Sequence, residues 1–337
     1  MSKRKIKKFV KRFELFFAIL LFMGAIGVGA FMYFYPNEFN EVMTSINVDY
    51  KSPFTKNEPL DETPIYSGDT QNEDGYYYVT TTTSDSYYKD AIDLIGDALK
   101  LRLRTIINTN IERQTYDDAR QMLAEADKVT KDGVDYTYTI YDSKLVNHLW
   151  DSKTWHREHV WPNSRLGMAR VTGSGRNQGS DLHNLRAINP GVNSSRSNRF
   201  YALASGENQT VGTDGYYPGD DHRGDVARIL FYMITMYDFL SLQSEDIPNE
   251  AYELSGAVMG RLDLLLEWHR LDPVDDFERQ RNDVIYSYQK NRNPYIDKPA
   301  YVHLVFEGFQ IDTLTPKEET AYILPVYTMF GYQAPLN

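Results

Sequence analysis

A glutamate and a histidine that are adjacent in the chain, Glu158 and His159, are the residues best suited to chemistry. A neutral imidazole, whose ordinary pKa is about 6.5, can take a proton from water near neutral pH. Carboxylate and amide oxygens, such as those of Glu158 and Asn193, are ligands that Mg²⁺ prefers. With cations to hold an anionic substrate, these groups could hydrolyse a phosphodiester, and His159 is the candidate base.

Arginines are concentrated around these residues. Residues 157–199, which we call the arginine segment, hold seven arginines, no lysine and two acids, although the chain has a net charge of −11. The planar guanidinium suits bidentate phosphate contacts, so the segment favours an anionic polymer as substrate over a merely solvated face. We predict that four of these arginines bind substrate: Arg157, Arg165, Arg176 and Arg199.

Composition excludes several other classes of protein. Cysteine is absent, which excludes disulfides, thiolate zinc sites and thiol nucleophiles. The 337 residues are 42% hydrophobic and 25% charged, as expected for a globular domain and not for a disordered or polytopic membrane protein.

The amino-terminal 36 residues read as a membrane anchor or a signal segment. Seven basic residues precede an uncharged apolar run from Leu15 to Tyr35, and Pro36 ends it. As a helix the run would be about 31 Å long, which is enough to span a bilayer, and the basic flank would keep the amino terminus in the cytoplasm. Cleavage after Ala30 is the alternative, and both readings place the remainder of the chain outside the cytoplasm.

The rest of the chain divides by pattern into three parts. Residues 37–85 are acidic and aperiodic and predict a flexible stalk, 86–315 a catalytic domain, and 316–337 a C-terminal tail. Apolar spacing predicts helices near 91–106, 116–128, 226–240, 257–271 and 273–290, the last capped by Asp272, and a strand over 134–140. The fold class is α+β and mainly helical. Because neighbouring side chains of a strand face opposite sides, Glu158 and His159 can share a site only at a strand end or a bulge.

Several ordered motifs between residues 86 and 307 make the sequence resemble the bacterial endonuclease I family of secreted or periplasmic nucleases. They are Arg157–Ser164 (REHVWPNS), Ser180–Arg186 (SDLHNLR), Val192–Asn198 (VNSSRSN), Arg223–Arg228 (RGDVAR), Leu266–Val274 (LEWHRLDPV) and Asn291–Asp297 (NRNPYID). The resemblance implies a ββα-metal (His-Me) finger inside a mainly helical domain. It also implies cleavage of nucleic acid with little sequence preference, leaving 5′-phosphate ends.

The resemblance also implies roles for individual residues. His159 would be the general base, and Glu158 and Asn193 would hold a single Mg²⁺, with Asn198 as the alternative to Asn193. An arginine near the leaving phosphate is expected, and either Arg186 or Arg196 could be it. His183 would support the finger from behind the site.

We therefore expect a Mg²⁺-dependent endonuclease, with Ca²⁺ or Mn²⁺ as substitutes, that hydrolyses DNA and, as a further substrate, RNA. The expected protein is a monomer, held at the cell membrane by its N-terminal helix or secreted. Two alternatives are a non-catalytic surface protein that binds nucleic acid through its arginines, and a phosphodiesterase for small nucleotides.

Overall fold

The computed structural model describes residues 70–79, 87–243 and 258–315. Eight α-helices lie in these ranges: α1 Gly96–Asn108, α2 Ala119–Ala126, α3 Pro190–Arg196, α4 Arg223–Met236, α5 Leu262–Leu271, α6 Asp276–Gln289, α7 Pro294–Asp297 and α8 Ala300–Phe306. Short 3-10 turns cover Lys89–Ala91, Asn163–Arg165, Gln178–Ser180, Leu182–Asn184 and Ile311–Leu314. The predicted α+β class is confirmed, and the helices predominate.

The strands of the described residues form four small sheets. They are β1 Lys128–Lys131, β2 Val134–Tyr138, β3 Leu145–Asn147, β4 His156–His159, β5 Leu185–Ile188, β6 Phe200–Tyr201, β7 Gln209–Val211, β8 Gly215–Tyr217, β9 Ser241–Gln243 and β10 Val258–Arg261. The sheet orders are β1-β2-β3, β4-β5, β6-β8-β7 and β9-β10. Strand β4 pairs antiparallel with β5, and His159 lies opposite Leu185.

Helix α4 is the centre of the core. All but its first residue are buried, because most of its side chains are apolar and its buried Asp225 and Arg228 form ion pairs, and it packs against α1 and α5. Two fully buried tryptophans, Trp161 and Trp268, belong to the same hydrophobic cluster. A second cluster, which contains Trp155 and Leu185, lies between α2, β5 and α6. The two strands β4 and β5 are thereby fixed against helical neighbours.

The unit β4–β5–α3 is a ββα arrangement. Helix α3 begins directly after β5, because Asn189 accepts a hydrogen bond from the Gly191 amide and Pro190 occupies the first helical position. Helix α3 packs on β4. This order, strand, strand and helix, is the one that the family resemblance implies for the finger.

Buried ion pairs join the finger to the helices. Arg186 of β5 contacts Asp127 at 3.2 Å and Asp225 at 2.9 Å, and Arg281 of α6 contacts Asp127 at 2.7 Å. All four side chains are almost fully buried. Because a buried charge is costly without a partner, these pairs specify how β5 docks on α4 and α6.

A second buried pair connects α4 to α6. Arg228 donates from Nε to Glu278 Oε1 at 2.7 Å and from Nη2 to Oε2 at 2.5 Å. Asp225, in the first turn of α4, pairs with Arg186, and Asp272 Oδ2 accepts a hydrogen bond from the Gly224 amide at 2.8 Å. The predicted cap of α6 at Asp272 is wrong by three residues, since Asp275 accepts from the Glu278 amide.

His183 is buried in a 3-10 turn before β5. Its Nε2 donates to the Asn291 carbonyl at 3.2 Å, its ring packs on Tyr232, and its Nδ1 has no hydrogen-bond partner. Burial lowers the pKa of His183 to about 4; Arg281 and Arg292 act in the same direction, and Asp181 opposes them. The imidazole is therefore neutral at physiological pH.

Residues 70–79 do not behave as the stalk that the sequence predicts for 37–85. Tyr77 is fully buried, its amide donates to His303 Nε2 at 3.1 Å, and the Val79 amide donates to the Leu314 carbonyl at 2.8 Å. The prediction is corrected for this segment, because two aromatic residues, Tyr76 and Tyr77, pack against α5 and α8.

The predicted membrane segment 1–36 and the C-terminal tail 316–337 lie outside the described residues. Within the described ranges, none of the helices has the length and apolar character needed to cross a membrane.

Candidate active site

Glu158, His159 and Asn193 line one depression of about 400 Å³ at the junction of β4 and α3. Strand β4 ends at His159, so the two adjacent side chains reach the same depression at a strand end. Asn193 comes from α3, which the β5–α3 turn folds back onto β4. The predicted rival Asn198 also lines the depression, and its side-chain amide donates to Ser164 Oγ at 3.2 Å.

The orientation of His159 fixes which ring nitrogen can act as a base. Its Nε2 lies 2.8 Å from the Gly179 carbonyl oxygen, and only an N–H can form that hydrogen bond. The lone pair is then on Nδ1. Burial lowers the pKa of His159 to about 4, and nearby arginines add to the shift, so the ring is neutral and can accept a proton.

The loop that carries Gly179 is itself restrained. Asn177 accepts a hydrogen bond from the Gly179 amide at 2.8 Å. A Cβ on Gly179 would lie 2.6 Å from Val171 Cγ1, closer than packing allows. Glycine is thus required where the chain presents its carbonyl to His159.

Glu158 is held from behind by buried polar groups. Its Oε1 accepts a hydrogen bond from Tyr141 Oη at 3.0 Å and lies 3.2 Å from Arg196 Nε. The Tyr141 hydroxyl is 2.6 Å from that of Tyr201, which in turn donates to the Val160 carbonyl at 3.1 Å. Burial raises the pKa of Glu158 to about 7, while Arg196 and Tyr141 oppose the shift by favouring the carboxylate.

The donor set fits a hard divalent cation. Glu158 offers carboxylate oxygen, Asn193 offers amide oxygen, and Mg²⁺ commonly takes few protein ligands and completes its shell with water. The described residues contain no group of three or more histidines and acids close enough to hold a metal together.

The predicted arginines separate into buried and accessible groups. Arg186 is buried in its ion pairs with Asp127 and Asp225 and does not line the depression. Arg196 is fully buried, and it contacts Glu158 and donates to the Val160 carbonyl at 2.8 Å. The prediction that one of them contacts the leaving phosphate is corrected, because neither guanidinium can be reached by a substrate.

Two of the four predicted substrate-binding arginines are also engaged in the fold. Arg165 is buried, stacks over the Phe200 ring and donates to the Asn198 carbonyl at 2.8 Å. Arg199 is half-buried and donates to the carbonyls of Thr213 and Ser195. For Arg165 we correct the prediction, since burial removes it from substrate.

The other two remain accessible. Arg157 lines the depression, and Arg176 is exposed on the loop before Gly179. His183, predicted as a supporting residue, is buried outside the lining of the depression.

Sequence reasoning did not select three groups that the structure brings to the site. Arg170 is exposed and lines the depression, and it was recognisable only as a member of the arginine segment. The ring of Tyr116 stacks on His159 with centroids 5.3 Å apart, although the two residues are 43 positions apart in sequence. The Gly179 carbonyl carries no side-chain signal at all.

Comparisons with known proteins show sequence similarity to nucleases. The family described as Endonuclease I matches residues 95–300. The chain is 36% identical over 232 residues to an extracellular ribonuclease of Bacillus subtilis (strain 168). That alignment covers 65% of this chain and 77% of the relative. An extracellular ribonuclease of Bacillus amyloliquefaciens is 34% identical over 230 residues, with the same coverage. An endonuclease-1 of Buchnera aphidicola is 26% identical over 131 residues, or 36% of this chain and 46% of the relative.

Proposed function

The chain belongs to the endonuclease I family and is a nuclease, and we propose that it cleaves DNA and RNA internally, with little sequence preference, using one divalent cation. We propose Mg²⁺ as that cation, with Ca²⁺ or Mn²⁺ as substitutes. The products would carry 5′-phosphate ends. The observation that carries the proposal is the convergence of Glu158, His159 and Asn193 on one depression.

The residues of the depression divide the work of hydrolysis. His159, held through Nε2 by the Gly179 carbonyl, takes a proton from water at Nδ1. Glu158 and Asn193 would hold the cation, which when bound offsets negative charge on the phosphoryl group. Arg157 and Arg170 line the same depression and supply positive charge to the phosphates on either side of the cleaved bond.

The lack of a carboxylate partner supports phosphate binding by the accessible arginines. Among the described residues, no carboxylate forms an ion pair with Arg157, Arg170 or Arg176 (Arg157 bonds only to the Tyr116 carbonyl). Contacts to backbone phosphates carry no sequence information, which supports a sequence-tolerant enzyme. They are screened by salt, so we expect substrate affinity to fall steeply as ionic strength rises.

The names of the relatives bear on substrate and location. Two of them are extracellular ribonucleases, which supports RNA as a substrate beside DNA and supports action outside the cytoplasm. Attachment to the membrane through residues 15–35 stays a prediction from the basic flank and the apolar run. The monomeric state also stays a prediction.

The experiment compares three proteins on plasmid DNA, single-stranded DNA and RNA, with Mg²⁺ or with EDTA. We expect the wild type to cleave only with metal and His159→Ala to lose about 10²–10⁴ in rate, the usual contribution of a positioned base. His148→Ala is the matched control, because His148 is a partly buried histidine that contacts Glu125 outside the depression. Equal rates for wild type and His159→Ala would exclude His159 as the base.

A further inference from the structure

A row of stacked side chains leads away from His159 along the protein surface. The row consists of Tyr116, Arg157, Trp150 and Arg120. The Arg157 guanidinium carbon lies 3.5 Å from the centroid of the Tyr116 ring and 5.6 Å from that of Trp150. The Arg120 guanidinium lies 5.5 Å from the Trp150 ring. Cationic and aromatic groups therefore alternate from the candidate active site outward.

Trp150 differs from the other three tryptophans of the chain. Trp155, Trp161 and Trp268 are at most 1% exposed, whereas Trp150 is half-buried in the loop between β3 and β4. Its neighbour Leu149 is 68% exposed. Trp150 packs on Trp155, with ring centroids 4.8 Å apart and nearly perpendicular planes. The indole is thus fixed in position while part of it remains at the surface.

The charges of the row favour a polyanion. Arg157 has no carboxylate ion pair among the described residues, and its Nη1 donates to the Tyr116 carbonyl, which holds the guanidinium beside both rings. Arg120 is neutralised in part by Asp117, 2.7 Å away. A phosphate chain that passes from the depression over Arg157 would place its bases beside Trp150 and Leu149.

We propose that this row binds an unpaired nucleic-acid strand, with a base stacked on Trp150 and the adjoining phosphate on Arg157. The proposal rests on the proposed nuclease function, because it places the next phosphate at His159. In a duplex the base faces are covered by neighbouring pairs, so only an unpaired base can stack on a protein ring. Because every base has such a face, the contact tolerates all sequences.

Tryptophan fluorescence gives a direct test. The full chain in EDTA, which prevents cleavage, is titrated with a single-stranded RNA, a DNA strand of the same sequence and the blunt duplex of that DNA. Since the other three tryptophans are buried, quenching reports Trp150. We expect both single strands to quench and the duplex to bind more weakly without quenching.

Variants then measure the contribution of the ring. Stacking is worth about 1–3 kcal/mol per base, so Trp150→Ala should weaken single-strand binding about 5–150-fold and leave duplex binding within about twofold. Trp150→Phe should stay within about threefold of wild type because it keeps a ring. Phe239→Ala, which removes another exposed aromatic side chain, should change nothing. Thermal midpoints of all variants check that each is folded.

The outcomes separate this inference from the proposed function. If wild type cleaves with Mg²⁺ but folded Trp150→Ala binds single strands as tightly as wild type, the row does not bind the strand as proposed. The nuclease proposal then stands. The inference would also be overturned if the duplex quenched the fluorescence as strongly as the single strands. It would be overturned as well if only the RNA strand or only the DNA strand quenched it. If wild type cleaves nothing yet single strands quench Trp150, the row holds and the nuclease proposal fails.

Discussion

Removing one hydroxyl behind the candidate active site should weaken metal binding without altering any group that touches substrate. Tyr141 Oη donates to Glu158 Oε1 at 3.0 Å and is fully buried in a chain of hydroxyls that ends at the Val160 carbonyl. In Tyr141→Phe that oxygen loses its hydroxyl donor and retains the ion pair with Arg196. Glu158 then loses a restraint on its orientation and a donor that favours its ionised form.

The size of the effect follows from that contact. A hydrogen bond to a charged group contributes about 1.5–3 kcal/mol, which corresponds to about 10–150-fold in an equilibrium constant. Loss of groups that orient a metal ligand typically costs about 10–100-fold in affinity. We therefore expect Tyr141→Phe to weaken divalent binding about 10–100-fold and Tyr201→Phe, one step further from Glu158, less than tenfold.

The assay is calorimetric titration with Mg²⁺ or Mn²⁺, beside the dependence of the cleavage rate on metal concentration. The matched control is Tyr295→Phe, since Tyr295 is also fully buried and its hydroxyl pairs with Thr235 at 2.6 Å. It should lose stability but not metal affinity. The reasoning is refuted if folded Tyr141→Phe binds metal as tightly as wild type, or if Tyr295→Phe loses as much affinity.

Three further perturbations test the framework around the site. The pKa of His183 is about 4 in the fold, against 6.5 in the unfolded chain, so between these pH values the unfolded state binds a proton that the folded state does not. The free energy of unfolding should therefore be highest above pH 6.5 and fall by up to about 3 kcal/mol as the pH drops to 4. Replacing Glu278 by Gln should cost up to about 3–5 kcal/mol in denaturant unfolding, because the buried Arg228 loses the carboxylate 2.5 Å away and is left with the more distant Asp225, 3.6 Å away. Gly179→Ala should lower the cleavage rate tenfold or more while substrate affinity changes little, because the shifted carbonyl no longer holds His159.

Each of these three perturbations has a control variant. The pH series compares wild type with His183→Gln, and a difference in stability that stays constant between pH 4 and 6.5 would contradict the assignment. Arg104→Met, which removes the solvent-exposed ion pair with Asp238, should cost less than about 1 kcal/mol, in contrast to Glu278→Gln. Gly206→Ala, at a position where a Cβ meets nothing within 4 Å but φ is +83°, tests whether backbone strain alone affects activity.

A candidate base and candidate metal ligands could be proposed from the sequence, because these roles depend on residue type. His159, Glu158 and Asn193 each occur in a short motif, and a general base or a metal-binding oxygen is a property of the side chain itself. The helices were predictable for a similar reason, since apolar spacing records which face is buried. The ends of helices were harder to predict. The cap of α6, for example, depends on whether Asp272 or Asp275 lies next to the free Glu278 amide.

Residue types alone place a candidate base, two candidate oxygen ligands and seven arginines between residues 157 and 199. Which of these arginines are accessible to a substrate depends on how the chain folds. Arg186 and Arg157 are identical in type, yet Arg186 is enclosed by Asp127 and Asp225, which lie 59 and 39 residues away, whereas Arg157 meets no carboxylate among the described residues. Pairing depends on contacts between distant segments, and the free energy of a buried charge depends on those contacts and not on its sequence neighbours.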